Sequence, residues 1–220
     1  LSTIVNKIGD KEIMSSHTTP DSITLNSLLS EMVLAGCEYC FMEASSHAIH
    51  QNRIGGLRFT GALFTNISHD HLDYHKTFDD YILAKKALFD GLSSDAFALV
   101  SQDDKHGKTM LHHCKAEHQT YALKSMADFK CRILENQFEG LLLNIDGQEV
   151  WSKLVGQFNA HNLLAIYATA ILLGENKLQI LTALSTLGAV DGRFQLVHSE
   201  GGVVGIVDSV SYTHLTLPTI

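Results

Sequence analysis

Gly61-Ala62-Leu63-Phe64-Thr65-Asn66-Ile67, running straight into Ser68-His69-Asp70-His71-Leu72-Asp73-Tyr74-His75, decides how this chain folds. A short apolar run has the length of a buried strand, and here it empties directly into imidazoles and carboxylates. The pattern recurs on both sides. Upstream, Tyr39-Cys40-Phe41-Met42 leads into Glu43-Ala44-Ser45-Ser46-His47; downstream, Ala96 to Val100 leads into Gln102-Asp103-Asp104 and a further helical stretch. Helical patterns lie between. Leu25, Leu28, Leu29, Met32 and Val33 recur at amphipathic spacing, with Asp21 or Ser22 to cap the start and Gly36 to stop the end. Thr77 and Asp80 have capping-box spacing ahead of Tyr81, Leu83, Ala84, Leu88 and Phe89. Strand and helix in alternation predict an α/β fold, a mostly parallel sheet flanked by helices. Open sheets of this kind bind ligands at the carboxyl ends of their strands.

Beyond Cys131 the character changes. Between Cys131 and Val155, β-prone segments meet at Asn136-Gln137 and at Asp146-Gly147, the latter a strong hairpin signal, so a small antiparallel patch is predicted. Two helices follow, about 159–174 and 177–187, and then 201–208 reads as a strand opening something new. A domain boundary is placed near Gly188 to Gly192. Residues 1–190 would form the main domain and 191–208 the start of another. Ser209 to Ile220 shows no usable periodicity and is expected not to be native sequence.

Composition narrows the function classes. With 45% hydrophobic and 18% charged residues and two prolines in 220, the chain is globular rather than disordered. A net charge of −8 without clustered Lys or Arg disfavours nucleic acid. There is no long apolar span or basic leader, and only four cysteines, which together predict a cytoplasmic protein without membrane insertion. Cys37-Glu38-Tyr39-Cys40 could join Cys114 and His112 or His118 around zinc, but buried free thiols are the plainer expectation.

Three clusters could carry chemistry. His69 to His75 nearly matches the His-x-His-x-Asp-His pattern of metal-dependent hydrolases, yet that pattern needs histidine where Tyr74 stands. His106-Gly107-Lys108-Thr109 ends like a phosphate loop but lacks the glycine required at Gln102, so a plain helix start is expected there. Glu43, Ser45, Ser46 and His47, with Gln51 and Arg53, gather a carboxylate, hydroxyls, an amide and a guanidinium past a strand end. Such a set suits phosphate or carboxylate recognition, and no nucleophile elbow surrounds its serines.

Taken in order, His17-Thr18-Thr19-Pro20-Asp21, Glu43-Ala44-Ser45-Ser46-His47 through Gln51 and Arg53, Asn66, His69-Asp70-His71-Leu72-Asp73, Ala84-Lys85, Gly156-Gln157-Phe158-Asn159-Ala160-His161-Asn162 and Gly192-Arg193 resemble the Mur ligase family. The first two pieces resemble its MurE-type branch, and the match runs from Leu1 to Asp208. That resemblance implies the family's central, ATP-binding domain and an ATP-dependent ligase of peptidoglycan synthesis. It would add a third amino acid, diaminopimelate or lysine, to UDP-N-acetylmuramoyl-L-alanyl-D-glutamate through an acyl phosphate. ATP and Mg²⁺ are the implied cofactors. Glu43 and His71 would sit at Mg²⁺, and Lys85 would correspond to a carbamylated lysine holding a second Mg²⁺, with Lys86 an ordinary surface lysine. His17, Thr18, Thr19, Ser45, Gln51 and Arg53 would hold the muramoyl peptide. Asn66, Asn159, Asn162 and Arg193 would lie on the nucleotide side, although Asn159 could equally be a helix N-cap.

The family's phosphate loop would lie upstream of Leu1, and the pattern breaks after Asp208. The chain alone is therefore expected to fold at least in part and to lack ligase activity, with a monomeric parent enzyme. Three rivals remain: another Mur-type or folylpolyglutamate-type ligase, a metal-dependent hydrolase built on His69 to His75, and a non-catalytic nucleotide-sugar binding module.

Overall fold

The computed structural model describes residues 1–70, 72–190, 194–198 and 204–208. It divides into two compact units, one of residues 1–121 with 125–128, the other of residues 122–124 with those from 129 onward. The boundary predicted near Gly188 to Gly192 falls partly outside the described residues.

The first unit opens with a hairpin that sequence patterning had not flagged, β1 (Val5–Ile8) paired antiparallel with β2 (Lys11–Met14) around Gly9 at φ +58°. Helix α1 (Ser22–Leu34) follows, capped by Asp21, whose carboxylate accepts from the Ile23 and Thr24 backbone N–H groups. Leu25, Leu28 and Met32 are buried along it, and Gly36 takes up the left-handed conformation (φ +78°) past its end. Val33, assigned by spacing to the same apolar face, is 74% exposed, because the buried stripe is narrower than the periodic pattern.

The chain then reaches the short helix α2 (Ser46–His50), strand β3 (Gly61–Phe64), helix α3 (Leu72–His75) and the longer α4 (Phe78–Asp90). Thr77 caps α4: its Oγ accepts from Asp80 N at 3.1 Å and donates to the Asp80 carboxylate at 2.7 Å. Strand β4 (Phe97–Ser101), helix α5 (Gly107–Leu111) and strand β5 (Glu117–Ala122) complete the series, and β3, β4 and β5 run parallel in that order. Ala98, Leu99 and Val100 of β4 are fully buried, as an interior parallel strand requires. Phe64, Ile82, Phe89, Leu92, Val100 and Met110 share one core that fastens α4 and α5 to this sheet.

Tyr39 to Met42, predicted as a strand, is not part of a sheet. The Leu1 amine donates to Phe41 O at 2.7 Å, and Glu43 N donates to Leu1 O at 3.0 Å. Two bonds to one residue are too few for a strand pair.

In the second unit β6 (Phe129–Gln137), β7 (Gly140–Ile145) and β8 (Gln148–Ser152) form an antiparallel meander. Asp146 and Gly147 have φ of +47° and +83°, the type I′ geometry their identities favour. The other turn falls at Phe138-Glu139, two residues beyond the predicted site, with an irregularity between Ile133 and Glu135 shifting the register. Helices α6 (Gln157–Leu172) and α7 (Lys177–Thr186) pack with this meander through Leu163, Leu164, Tyr167, Ile180, Leu181 and Leu184. Strands β9 (Gln195–His198) and β10 (Val204–Val207) pair antiparallel. Among the described residues no helix is long and apolar enough to cross a membrane.

Candidate functional site

The segment before α2 delivers its polar groups as one hydrogen-bonded network. Thr19, 1% exposed, donates through Oγ1 to Glu43 O at 2.7 Å and accepts from Ser45 N at 3.0 Å. Ser45 caps α2 by accepting from Ala48 N at 3.2 Å. Arg53 Nη1 donates to Thr19 O at 3.0 Å, while its Nε and Nη2 both donate to Gln51 Oε1, at 2.8 and 2.6 Å. These bonds use three of the five N–H groups of the guanidinium, and the fork is fixed on one side by neutral oxygens. A fork so held is preorganised for an anion. Gln51 is itself braced by donating to the Tyr74 hydroxyl at 3.1 Å.

Glu43 joins this network from the other side. Thr3 Oγ1 donates to Glu43 Oε2 at 2.6 Å and stands 3.2 Å from Thr18 Oγ1. Thus Thr18, Thr19, Glu43, Ser45, Gln51 and Arg53, spread over 36 positions of sequence, form one connected group. His17 does not join them: it is exposed and its ring meets Ser16 Oγ at 3.1 Å.

Lys85 lies on α4 at the edge of a cleft of about 80 Å³, lined also by Ile49, Phe64, Thr65, Asn66 and Leu88. Burial holds the pKa of its ammonium below the ordinary lysine value, and the nearby Glu43 carboxylate opposes that shift without reversing it. Glu43 and Lys85 therefore share one electrostatic environment although 42 positions separate them. His71, the third member of the predicted metal set, lies outside the described residues.

Lys86 is not the surface lysine the sequence suggested. It is 8% exposed and forms an ion pair with Asp90 one turn on, since its position faces the core side of α4. Because Asp90 keeps access to water, Lys86→Met is expected to change stability by less than about 1 kcal/mol and to leave activity intact. Urea unfolding and turnover of the full-length protein would check this, and a large activity loss would mean the two lysines have been assigned the wrong way round.

Within the His69 to His75 cluster, the two described histidines have different neighbours. His69 stacks on Phe78 with centroids 4.2 Å apart, whereas His75 is buried against Ser46, its Nε2 2.9 Å from Oγ. Tyr74, which broke the hydrolase pattern, reaches instead to His50 Nδ1 at 2.9 Å and to Gln51. Cys37, Cys40, Cys114 and Cys131 are free thiols, and burial pushes the Cys131 thiol up to about 12, which makes it unreactive. Among the described residues no three Cys, His, Asp or Glu side chains gather to hold a metal.

In the second unit Gly156 occupies the N-cap position of α6 at φ +91°, so Asn159 is not the cap. Its side-chain amide donates to Val155 O at 2.9 Å, and Asn162 Nδ2 stands 3.4 Å from its Oδ1. Arg193 lies outside the described residues. Thr3 is the site member that sequence reasoning missed, while Tyr74 and His75 were read only as part of the His69 to His75 cluster. For Tyr74 a signal existed, since it sits inside the most polar stretch of the chain.

Residues 1–170 match the family model described as the Mur ligase middle domain. The chain belongs to the Mur ligase family. Among curated relatives, the UDP-N-acetylmuramoyl-L-alanyl-D-glutamate--2,6-diaminopimelate ligase of Cytophaga hutchinsonii is 54% identical over 214 residues, 97% of this chain and 43% of that protein. The ligase of the same name from Phocaeicola vulgatus is 52% identical, over 97% of this chain and 44% of its own length. This Mur ligase chain thus spans less than half the length of the relatives it matches. A solved structure of a ligase with that name superposes with a TM-score of 0.72 at 28% identity, covering 90% of this chain and 43% of the other. Thermotoga maritima MurF in complex with ADP reaches 0.63 at 18% identity over 86% of this chain and 45% of its own, a likeness of fold alone.

Proposed function

We propose that the protein to which this chain belongs joins an amino acid to UDP-N-acetylmuramoyl-L-alanyl-D-glutamate in the cytoplasm, with ATP, and that the amino acid is diaminopimelate. The choice of amino acid rests on the names of the relatives. The observation that carries the assignment of the site is the meeting of an anchored arginine, a carboxylate and a half-buried lysine on one face of the first unit.

Arg53, held by Gln51 and Thr19, grips an anionic group of the muramoyl peptide, and Thr18, Ser45 and the Thr19 region shape the neutral contacts around it. His17, exposed beside them, is the outermost substrate contact. Lys85 supplies an amine whose charged form is disfavoured by burial. The neutral nitrogen attacks the carbon of CO₂, one C=O electron pair moves to oxygen, and the N–H proton leaves to water, giving a carbamate anion. Glu43, His71 and that carbamate form an oxygen and imidazole set of the kind that suits Mg²⁺. When bound, the ion supplies neutralisation of the phosphate and carboxylate charges that would otherwise repel. Asn66, Asn159, Asn162 and Arg193 serve the nucleotide. The parent enzyme acts as a monomer.

The test is Arg53→Ala in the full-length ligase, followed by incorporation of labelled diaminopimelate or lysine into the muramoyl dipeptide. Loss of a charge-assisted pair of hydrogen bonds should raise KM for the dipeptide by roughly 10- to 100-fold with a smaller change in kcat. An unchanged KM would remove Arg53 from the substrate site. Preferred incorporation of lysine would overturn the choice of diaminopimelate.

A further inference from the structure

Three side chains that the family match leaves without a role, Ser46, His75 and Tyr81, form a row that ends at Lys85. Ser46 opens α2, and its Oγ stands 2.9 Å from His75 Nε2 in a buried contact. His75, 5% exposed, stacks on the Tyr81 ring at 5.3 Å and 26°. Tyr81, 7% exposed, meets Phe78 at 6.2 Å on its edge, and its ring lies 5.6 Å from Lys85 Nζ. Tyr81 and Lys85 are one turn apart on α4, so they stand one above the other on the same helix face.

A lysine amine on four rotatable bonds wanders unless something restricts it. A flat ring beside it removes rotamers and excludes water, and Tyr81 can serve as that ring because two neighbours fix its own plane. An ammonium would be drawn to the π face. Burial lowers the Lys85 pKa, with the Glu43 carboxylate opposing.

We propose that Tyr81, backed by His75, is a positioning residue that fixes the Lys85 amine at the cleft where CO₂ is added, and that His75 ties this placement through Ser46 to the substrate loop. It rests on Lys85 being the carbamylated lysine.

The experiment uses the full chain equilibrated with ¹³C-labelled bicarbonate, with the carbamate carbon signal assigned by its loss in Lys85→Ala. Tyr81→Phe keeps the ring and should keep the signal. Tyr81→Leu, with Tyr81→Met as a second apolar replacement, should lower occupancy at a given CO₂ level by roughly fivefold or more, the scale of one lost aromatic contact. His75→Leu, which touches Tyr81 from its far side, should lower occupancy in the same direction. Thermal melts identify the variants that remain folded. If Tyr81→Leu, Tyr81→Met and His75→Leu lower the melting temperature yet leave occupancy equal to the unaltered chain, the row is packing and the proposal fails. No Lys85 signal in the unaltered chain would overturn this inference and the carbamate assignment together, whereas a normal signal with an unresponsive Tyr81→Leu would overturn this inference alone.

Discussion

Lys85→Ala should lower kcat of the full-length ligase by about 10²- to 10³-fold, the scale seen when a preorganised group facing developing charge is removed. KM for the muramoyl dipeptide should stay within about threefold, because Lys85 makes none of the bonds that hold Arg53, Gln51 and Thr19. The dependence on pH follows from the direction of the Lys85 shift. Burial lowers its pKa, with Glu43 opposing, so the neutral amine persists to lower pH than on an exposed lysine. As pH falls through that lowered value the amine protonates, CO₂ can no longer add, and both carbamate signal and turnover should fall together. For stability the sign is opposite to that of a paired lysine. The folded pKa lies below the unfolded one, so burying the charged form costs stability at low pH, and the cost disappears as pH rises past the unfolded value. Lys85→Met should therefore raise the melting temperature more in acid than in alkali. A kcat loss below about tenfold, or a melting difference independent of pH, would count against Lys85 as the reactive amine.

Much of this arrangement could be read from residues alone, and the exceptions have physical causes. Asp21, Thr77 and Asp146-Gly147 encode their caps and turn in short-range chemistry, and each does what its type predicts. The strands at Gly61–Phe64 and Phe97–Ser101 could be read because parallel strands are continuously apolar. Tyr39 to Met42 has the same apolar character, but a strand exists only when a neighbour pairs with it, and no local pattern reports that. Lys86 was misplaced for a related reason: Lys85 and Lys86 are adjacent, and which of them faces the core depends on how α4 is rotated against β3 and β4. The Glu43 environment was half legible. Its position past an apolar run marked it, but the hydroxyl that holds it comes from Thr3, in a stretch without any motif. Tyr74 and His75 illustrate the converse. A polar run looks like a set of ligands, yet the fold spends His75 on Ser46 and Tyr74 on Gln51.

Gly107→Ala should destabilise the chain by about 3 kcal/mol, at the upper end of the range for overpacking. A methyl group on Gly107 would stand 2.3 Å from Ser101 O and 3.3 Å from Ser101 C. Those atoms belong to the buried last residue of β4, which pairs with Tyr121 of β5, so they cannot give way as a flexible side chain would. Helix α5 must lift instead. For a domain of this size the drop in melting temperature should be about 6 to 12 °C. Gly188→Ala, where a methyl group meets nothing within 4 Å and the backbone is unstrained, is the control and should stay within about 0.5 kcal/mol. The damage should extend beyond stability. Asp104 stands just ahead of Gly107; one of its oxygens accepts from His106 N at 2.8 Å and the other from Ile67 N at 3.0 Å, immediately after Asn66. Lifting α5 pulls on that carboxylate and thereby on the β3 exit that lines the Lys85 cleft, so turnover of the full-length ligase should fall even at temperatures where the variant is folded. Glycine ahead of Lys108 is then explained by the approach of a helix to a strand end, with no phosphate required, and a Gly107→Ala protein melting within about 1 °C of the parent would return that glycine to the list of candidates for phosphate binding.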